Sequence, residues 1–209
     1  TPLLKSKFLE FLSADDLMSG NNLLTFEVAK QYVLNFLKLE VKNIVLAGEK
    51  NLDYRLLEQE EKMSWVIPIQ FNNEEIKVKV EGFADRIDIV GEEVQLIDYK
   101  TGNVTSTDLS FKNWDDLVQN PNKSKALQLA IYGYIYLMRH PDVNNFTAGI
   151  YSFRNLQSGL LRLTRNRKKV MADEIREHMP KVIESIVNNM LDENAMIAHN
   201  EDAKYCNYC

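Results

Sequence analysis

The chain has 209 residues and 45% hydrophobic content, enough for one sizeable core, and its composition has no mark of disorder. A formal net charge of −5 excludes a nucleic-acid coat that works by long-range attraction, so any grip on DNA must be local or borrowed. No apolar run approaches the ~20 residues that span a bilayer and no basic-then-apolar leader opens the chain, so the expectation is a soluble, cytoplasmic protein without a membrane partner.

The first residue is Thr1 rather than Met, which leads us to expect a processed chain or a piece of something larger. We read residues 1–209 as one domain, with a helical N-terminal part over 1–62, a catalytic core over 63–192 and a tail over 193–209. Leu4, Phe8 and Leu12 recur at helical spacing, which predicts a short helix over Pro2 to Leu12. After the break at Ser19-Gly20-Asn21-Asn22, Phe26, Ala29, Val33, Phe36 and Leu37 share one face, predicting a second helix to about Leu39 with Thr25 as N-cap. Glu27 on this helix could reach a metal, although a Glu in a first turn is ordinarily there for the helix dipole. Val41 to Glu61, with its acidic run Glu58-Gln59-Glu60-Glu61, has no clear assignment.

Ser64 to Phe71 and Glu75 to Val80 alternate around the turn pair Asn72-Asn73, and Phe83 to Val90 and Val94 to Tyr99 flank Gly91-Glu92-Glu93. Two hairpins, hence at least four sequential strands, are predicted. The second is oddly charged, because Asp85, Asp88 and Asp98 fall inside strands where Asp is disfavoured. A period of two puts Asp98 and Lys100 on one face and Tyr99 on the other. Pairing about the turn brings Asp85 towards Asp98, and two carboxylates beside an ammonium suit a hard divalent cation, Mg²⁺ or Mn²⁺. The plainer reading pairs Asp88 with Arg86 and Asp98 with Lys100 as surface ion pairs without function. Residues alone leave both open.

Asn103 to Lys125 reads as a long polar loop, either solvated or a flap over nucleic acid through Lys112, Lys123 and Lys125. A helix follows over Ala126 to Met138, with Gln128 and Tyr132 on the same face. Thr147 to Phe153 and Leu160 to Thr164 read as strands. Arg162, Arg165, Arg167, Lys168 and Lys169 then form the densest basic cluster, which either meets phosphate or offsets the acidic first turn of the next helix. That helix runs from Met171 to Leu191, with Ile175, Met179, Val182, Ile186 and Met190 buried and a kink expected at Pro180. The two cysteines, Cys206 and Cys209, form a C-x-x-C pair that could be redox-active, half a zinc site or incidental.

Gly82-Phe-Ala-Asp85-Arg86-Ile-Asp88, then Ile97-Asp98-Tyr99-Lys100-Thr101-Gly102, then Gln128-Leu-Ala-Ile-Tyr132 together resemble the PD-(D/E)XK nuclease signature, and more narrowly the exonuclease domains of RecB and AddB type. The resemblance is specific over Ser64 to Tyr132 and loose outside. It implies an α/β fold of the restriction-endonuclease type, a mixed central sheet flanked by helices, and metal-dependent hydrolysis of DNA phosphodiesters in recombination and repair. Asp85, Asp98 and the Tyr99 carbonyl would hold Mg²⁺ or Mn²⁺, Lys100 would position water or hold charge on the phosphate, and Gln128 and Tyr132 would edge into the site. Arg86, Arg165, Arg167, Lys168 and Lys169 are candidate DNA contacts. A helicase-nuclease partner subunit, or the remainder of a larger chain, is the implied company, since no Walker A pattern occurs here.

Two departures stand out. AddB-type domains close with a [4Fe-4S] staple of four cysteines, of which only the middle pair, Cys206 and Cys209, has counterparts. The family's upstream His or Glu ligand is also unmatched by histidine, because His140, His178 and His199 all follow the catalytic strands. The alternative from another class is therefore a DNA-binding or scaffold domain with impaired chemistry. A small-molecule hydrolase has no nucleophile motif to support it.

Overall fold

A computed structural model describes residues 2–194. It divides into two compact units, 1–51 and 52–209. Cys206 and Cys209, together with His199, lie outside the described residues.

The first unit is helical, with α1 (Pro2–Leu9), α2 (Ala14–Leu17) and α3 (Gly20–Glu49). Ser13 caps α2, its Oγ accepting from Asp16 N at 3.1 Å. The helix expected to end near Leu39 runs 30 residues, because Ile44 to Ala47 continue it and the chain leaves it only at Asn51, in the left-handed region at φ 53°. Thr25 is inside α3 rather than at its cap, and its hydroxyl donates back to Asn21 O at 2.8 Å. The Phe8 ring meets Phe26 edge-on at 5.3 Å.

The second unit is built on a mixed five-stranded sheet. Two long antiparallel strands, β1 (Tyr54–Phe71) and β2 (Glu74–Val90), are joined at Asn72 and Asn73, with φ of 50° and 63°. Asn tolerates that conformation best among non-glycine residues, which is why this pair makes a two-residue hairpin turn. Glu75 to Val80 and Phe83 to Val90, expected as separate strands, form one continuous strand, since β1 pairs straight through the interruption as Met63↔Gly82 and Ser64↔Glu81. Three sequential strands result, not four, the third being β3 (Glu93–Lys100) after Gly91 at φ 62°.

Beyond β3 come β4 (Ser110–Phe111), α4 (Asp116–Gln119), a 3₁₀ turn (Pro121–Lys123) and α5 (Ser124–Arg139). The expected open loop is therefore an ordered crossover, and Val104, Leu109, Phe111 and Leu117 from it belong to the core. β5 (Phe146–Ser152) lies parallel to β3 and is buried along its whole length, as a central strand covered on both faces should be. Next are β6 (Leu161–Arg162), β7 (Thr164–Arg165), β8 (Lys168–Lys169) and α6 (Ala172–Leu191). The large sheet has the order β1-β2-β3-β5-β6, and β4-β7-β8 form a small one.

Ile67, Ile87, Leu96 and Ile150 from the sheet pack with Leu129, Ile135 and Leu137 of α5 and Ile175, Met179 and Val182 of α6 in one apolar core. Each such side chain contributes about 1.5–3 kcal/mol on full burial. Ile186 is partly buried, but Met190, expected on the same stripe, is 78% exposed because it lies at the far end of α6. α6 continues through Pro180. No helix among the described residues is long and apolar enough to cross a membrane.

Candidate active site

The backbone ladder between β2 and β3 ends at Arg86↔Ile97. One step further in the same register, Asp85 stands opposite Asp98, and the next β3 amide is taken by a side chain: Tyr99 N donates to Asp85 Oδ2 at 2.6 Å. The carboxylate thus replaces the missing ladder partner and is fixed at the strand's splay point. Asp85, Tyr99, Gln59 and Glu60 line one open cleft of about 590 Å³.

Asp98 is nearly sealed, its side chain 5% exposed, and its charge is only partly met. Oδ1 accepts from Lys100 Nζ at 3.2 Å and from Gln128 Nε2 at 3.4 Å. Oδ2 lies 2.8 Å from Lys100 Nζ, but that contact misses hydrogen-bonding angles, so the buried oxygen has no hydrogen-bond donor among the described residues. Burial first, and then the negative charge of Asp85, push the Asp98 carboxyl above the ordinary aspartate range against the pull of Lys100. A carboxylate so placed is short of positive charge.

α5 supplies the cover. Gln128 Nε2 also donates to the Tyr132 hydroxyl at 2.8 Å, so the pair four residues apart acts as one unit over Asp98. Tyr132 can approach because residue 82 is glycine: a Cβ there would lie 2.4 and 2.6 Å from the ring's Cε1 and Cδ1. The Gly of the Gly-Phe-Ala-Asp run and the Tyr of the helix are therefore one packing contact between distant segments.

The other face of the same strands is different. Arg86, expected among the DNA contacts, is 8% exposed and grips Asp88 twice, Nε to Oδ1 and Nη2 to Oδ2, both at 2.7 Å. Tyr54 donates to Asp88 Oδ2 at 3.2 Å, and Arg86 donates to the hydroxyls of Tyr54 and Tyr99 at 3.1 and 3.3 Å. This pair is internal, so Arg86 has nothing left for phosphate. The surface pair expected between these residues is a buried one.

The basic cluster is likewise divided. Arg165 pairs with Glu174 in the first turn of α6 and Lys169 with Glu93, while Arg162 lies 3.7 Å from Glu93. Burial would raise Glu93, but hydrogen bonds from Lys169, Gln95 and Thr147 hold it below its ordinary value. Arg165 and Lys169 are thus committed to carboxylates rather than facing phosphate. Arg167 and Lys168 remain exposed at the β7–β8 turn.

Two residues were not singled out from sequence. Glu60 adopts φ 52° within β1, in register opposite Asp85, and adds a carboxylate to the cleft. A left-handed Glu inside a strand gives no sequence signal beyond the acidic run that contains it. Ser152 is fully buried at the end of β5, accepting from Val104 N at 3.1 Å and donating to Gly102 O at 2.8 Å. It pins the chain where it leaves the Asp98-Tyr99-Lys100 strand, through a contact about fifty residues long that no local pattern reveals.

The donor set fits a hard divalent cation. The ligands are oxygens, one of them is buried without a hydrogen-bond donor and met only by the Lys100 ion pair, and the carboxylates of Asp85 and Asp98 lie where the ladder splays. Among the described residues no three His, Cys, Asp or Glu side chains gather closely enough to hold a metal by themselves, so carbonyl, water or phosphate oxygens must complete the shell.

Searches of curated proteins and of solved structures found no match. A family model, that of the PD-(D/E)XK nuclease superfamily, matches residues 21–209. The mixed sheet flanked by helices is consistent with the restriction-endonuclease-like fold of that family. With the match covering most of its length, the chain belongs to the PD-(D/E)XK nuclease superfamily.

Proposed function

We propose that the chain is a Mg²⁺- or Mn²⁺-dependent deoxyribonuclease domain, an exonuclease of RecB or AddB type that acts in recombination and repair. Members of the superfamily are usually hydrolytic nucleases that use divalent metals, and a nuclease domain implies DNA as substrate. The observation that carries the reading is the buried Asp98 Oδ2, without a hydrogen-bond donor and within reach of the Asp85 charge. Burying a carboxylate oxygen that accepts no hydrogen bond and has only a partly exposed lysine beside it is costly, and a cation would offset that cost.

Asp85, Asp98 and the Tyr99 carbonyl would hold the cation, with Glu60 as a further carboxylate at the rim. When bound, the cation supplies Lewis-acid polarisation of the phosphate and lowers the pKa of a bound water. Lys100, whose side chain is 31% exposed beside Asp98, would position the attacking water and offset charge gathering on the phosphoryl oxygens. Gln128 holds Asp98 in orientation from above, and Tyr99 N–H does the same for Asp85. Cys206 and Cys209 would belong to a [4Fe-4S] staple completed by two further cysteines of a longer, full-length chain. That part rests on the sequence resemblance, and iron analysis of that chain tests it.

Calorimetric titration with Mn²⁺ and digestion of end-labelled linear DNA form the direct test. Wild type should bind Mn²⁺ and shorten the DNA from its ends, and Asp98→Asn should lose both. Equal Mn²⁺ affinity in the two proteins would remove the site. Metal binding without digestion would leave the impaired DNA-binding or scaffold reading in its place.

A further inference from the structure

We propose that a pocket between the β4–α4 segment and the β7–β8 turn is a second phosphodiester-binding subsite, which grips the substrate strand a few nucleotides from the bond being cut. The proposal rests on the nuclease reading only for the identity of the strand. The pocket has a volume of about 570 Å³, and its wall brings together Lys112 after β4, Lys123 ahead of α5 and Arg167 in the β7–β8 turn.

These segments are far apart in sequence but stitched together. β4 runs parallel to β7, Asn166 N donates to Phe111 O at 2.9 Å, and Asn166 Nδ2 donates to Lys112 O at 3.3 Å. Asn166 and Arg167 both adopt left-handed backbone, at φ 50° and 64°, which fixes the tight turn at the pocket's edge.

The charge of the pocket runs against that of the molecule. Lys112, Lys123 and Arg167 give three positive charges and Asp116 one negative, a local balance of +2 in a chain of −5. Asp116 does not cancel them by direct pairing. Its Oδ2 accepts from the backbone N–H of Asn113 and of Lys112, each at 2.9 Å, and these two bonds, with the nearby charges of Lys112 and Lys123, hold its carboxyl below the ordinary range. Lys123 Nζ donates to the neutral carbonyl of Thr107 at 2.7 Å. Among the described residues, none of the three cations has a carboxylate partner, whereas Arg165 and Lys169 of the same basic run both do. Convergent cations in excess over carboxylates and outside ion-pair contact, gathered in a concavity, are the chemistry that recognises a phosphodiester.

Position ties the pocket to the cleft. Lys123 immediately precedes α5, and Gln128, five residues on, reaches Asp98. At about 1.5 Å of rise per residue the two lie roughly 7.5 Å apart along the helix axis. With side-chain reach added, that spans a few nucleotides at about 3.4 Å of rise each.

The test is fluorescence anisotropy of a labelled single-stranded oligonucleotide in EDTA, where binding occurs without cutting, over a range of salt. Lys112→Gln combined with Arg167→Gln should weaken binding at least tenfold and make the salt dependence shallower by about one unit of slope. Lys181→Gln removes an exposed cation of α6 that does not line the pocket, and should leave both quantities near wild type. Equal losses in the two variants, or no loss in the double variant, would overturn the subsite. Thermal melts that coincide with wild type confirm that a loss is not unfolding, and Arg167→Lys should recover part of the affinity if charge is the cause. Titration of inorganic phosphate separates the sources: weak competition is expected, and tight phosphate binding with no oligonucleotide affinity would overturn the proposal in favour of a free-phosphate site. The result is independent of catalysis. A protein that digests DNA but shows unchanged affinity in the double variant loses only the subsite, and one that never digests DNA but shows the loss keeps it.

Discussion

The two faces of the central hairpin carry the same residue types and differ in how completely their charges are met. On one face Asp88, fully buried, accepts hydrogen bonds on both oxygens, from Arg86 Nε and from Tyr54, with a further ion-pair contact from Arg86 Nη2. On the other, Asp98 is almost as deeply buried but has a partly solvated lysine, a distant glutamine amide and one oxygen without a donor. The first face is a closed ion pair that the fold needs. The second is an incomplete shell that a ligand would finish. What separates structure from chemistry here is how the donors are shared between the two oxygens of a buried carboxylate, since both oxygens of Asp88 accept hydrogen bonds while those to Asp98 all fall on Oδ1.

The largest expected effect breaks the closed face. Asp88→Ala leaves the Arg86 guanidinium buried without its carboxylate, which should cost about 3–5 kcal/mol in urea unfolding. Asp98→Ala in the metal-free protein should cost far less, since it removes a carboxylate whose desolvation is poorly compensated. Similar costs for the two variants would erase the distinction between the faces.

Next is the lysine that makes the open face chemical. Lys100→Ala should lower the rate of DNA hydrolysis by about 10²–10³, the usual loss when a preorganised charge-stabilising group is removed, with Mn²⁺ affinity kept. A variant with full rate would take Lys100 out of the reaction. Gly82→Ala tests the cover instead. Its methyl would press the Tyr132 ring from 2.4 Å, and either the ring or β2 must give, at about 1–3 kcal/mol of stability measured by thermal unfolding. Because Tyr132 carries Gln128 with it, activity should fall as well. An unperturbed variant would show that α5 is free to lift.

Much of this was legible in the sequence, for a physical reason. Asn72-Asn73 and Gly91 are the residues that accept left-handed backbone, and they marked both hairpin turns. Period-two alternation put Asp98 and Lys100 on the face where they meet, and helical spacing paired Gln128 with Tyr132. What escaped depends on long-range partners. Nothing local to Glu81-Gly82 says that β1 will pair straight across it and merge two strands into one. The role of Arg86 hinges on Tyr54 and Tyr99 closing around it, and that of Arg165 on a glutamate nine residues further on in α6. The polar look of Asn103 to Lys125 concealed four core residues, because their neighbours lie elsewhere in the chain. Cys206 and Cys209 lie outside the described residues, so the staple expected there stays with the sequence.

The smallest effect sharpens the comparison by pH. Asp98 titrates above the ordinary aspartate range when folded, because burial, and after it the charge of Asp85, disfavour its ionised form. A group whose pKa is raised on folding contributes its stability below the unfolded value, and that contribution is lost as pH rises through the folded one. Metal-free wild type should therefore lose stability relative to Asp98→Asn as pH climbs from below the usual aspartate value through the raised one. Below that window, where Asp98 is protonated in both states, the two proteins should converge. The asparagine leaves Lys100 without its partner, but that ammonium is partly solvated and loses little. Saturating Mn²⁺ should cancel the deficit in wild type and do nothing for the variant, since the cation stabilises the charged form that burial disfavours. Thermal unfolding of both proteins across pH, with and without Mn²⁺, reads all four arms. Parallel curves would mean that Asp98 is satisfied within the fold, and the open face would then be as closed as the one behind it.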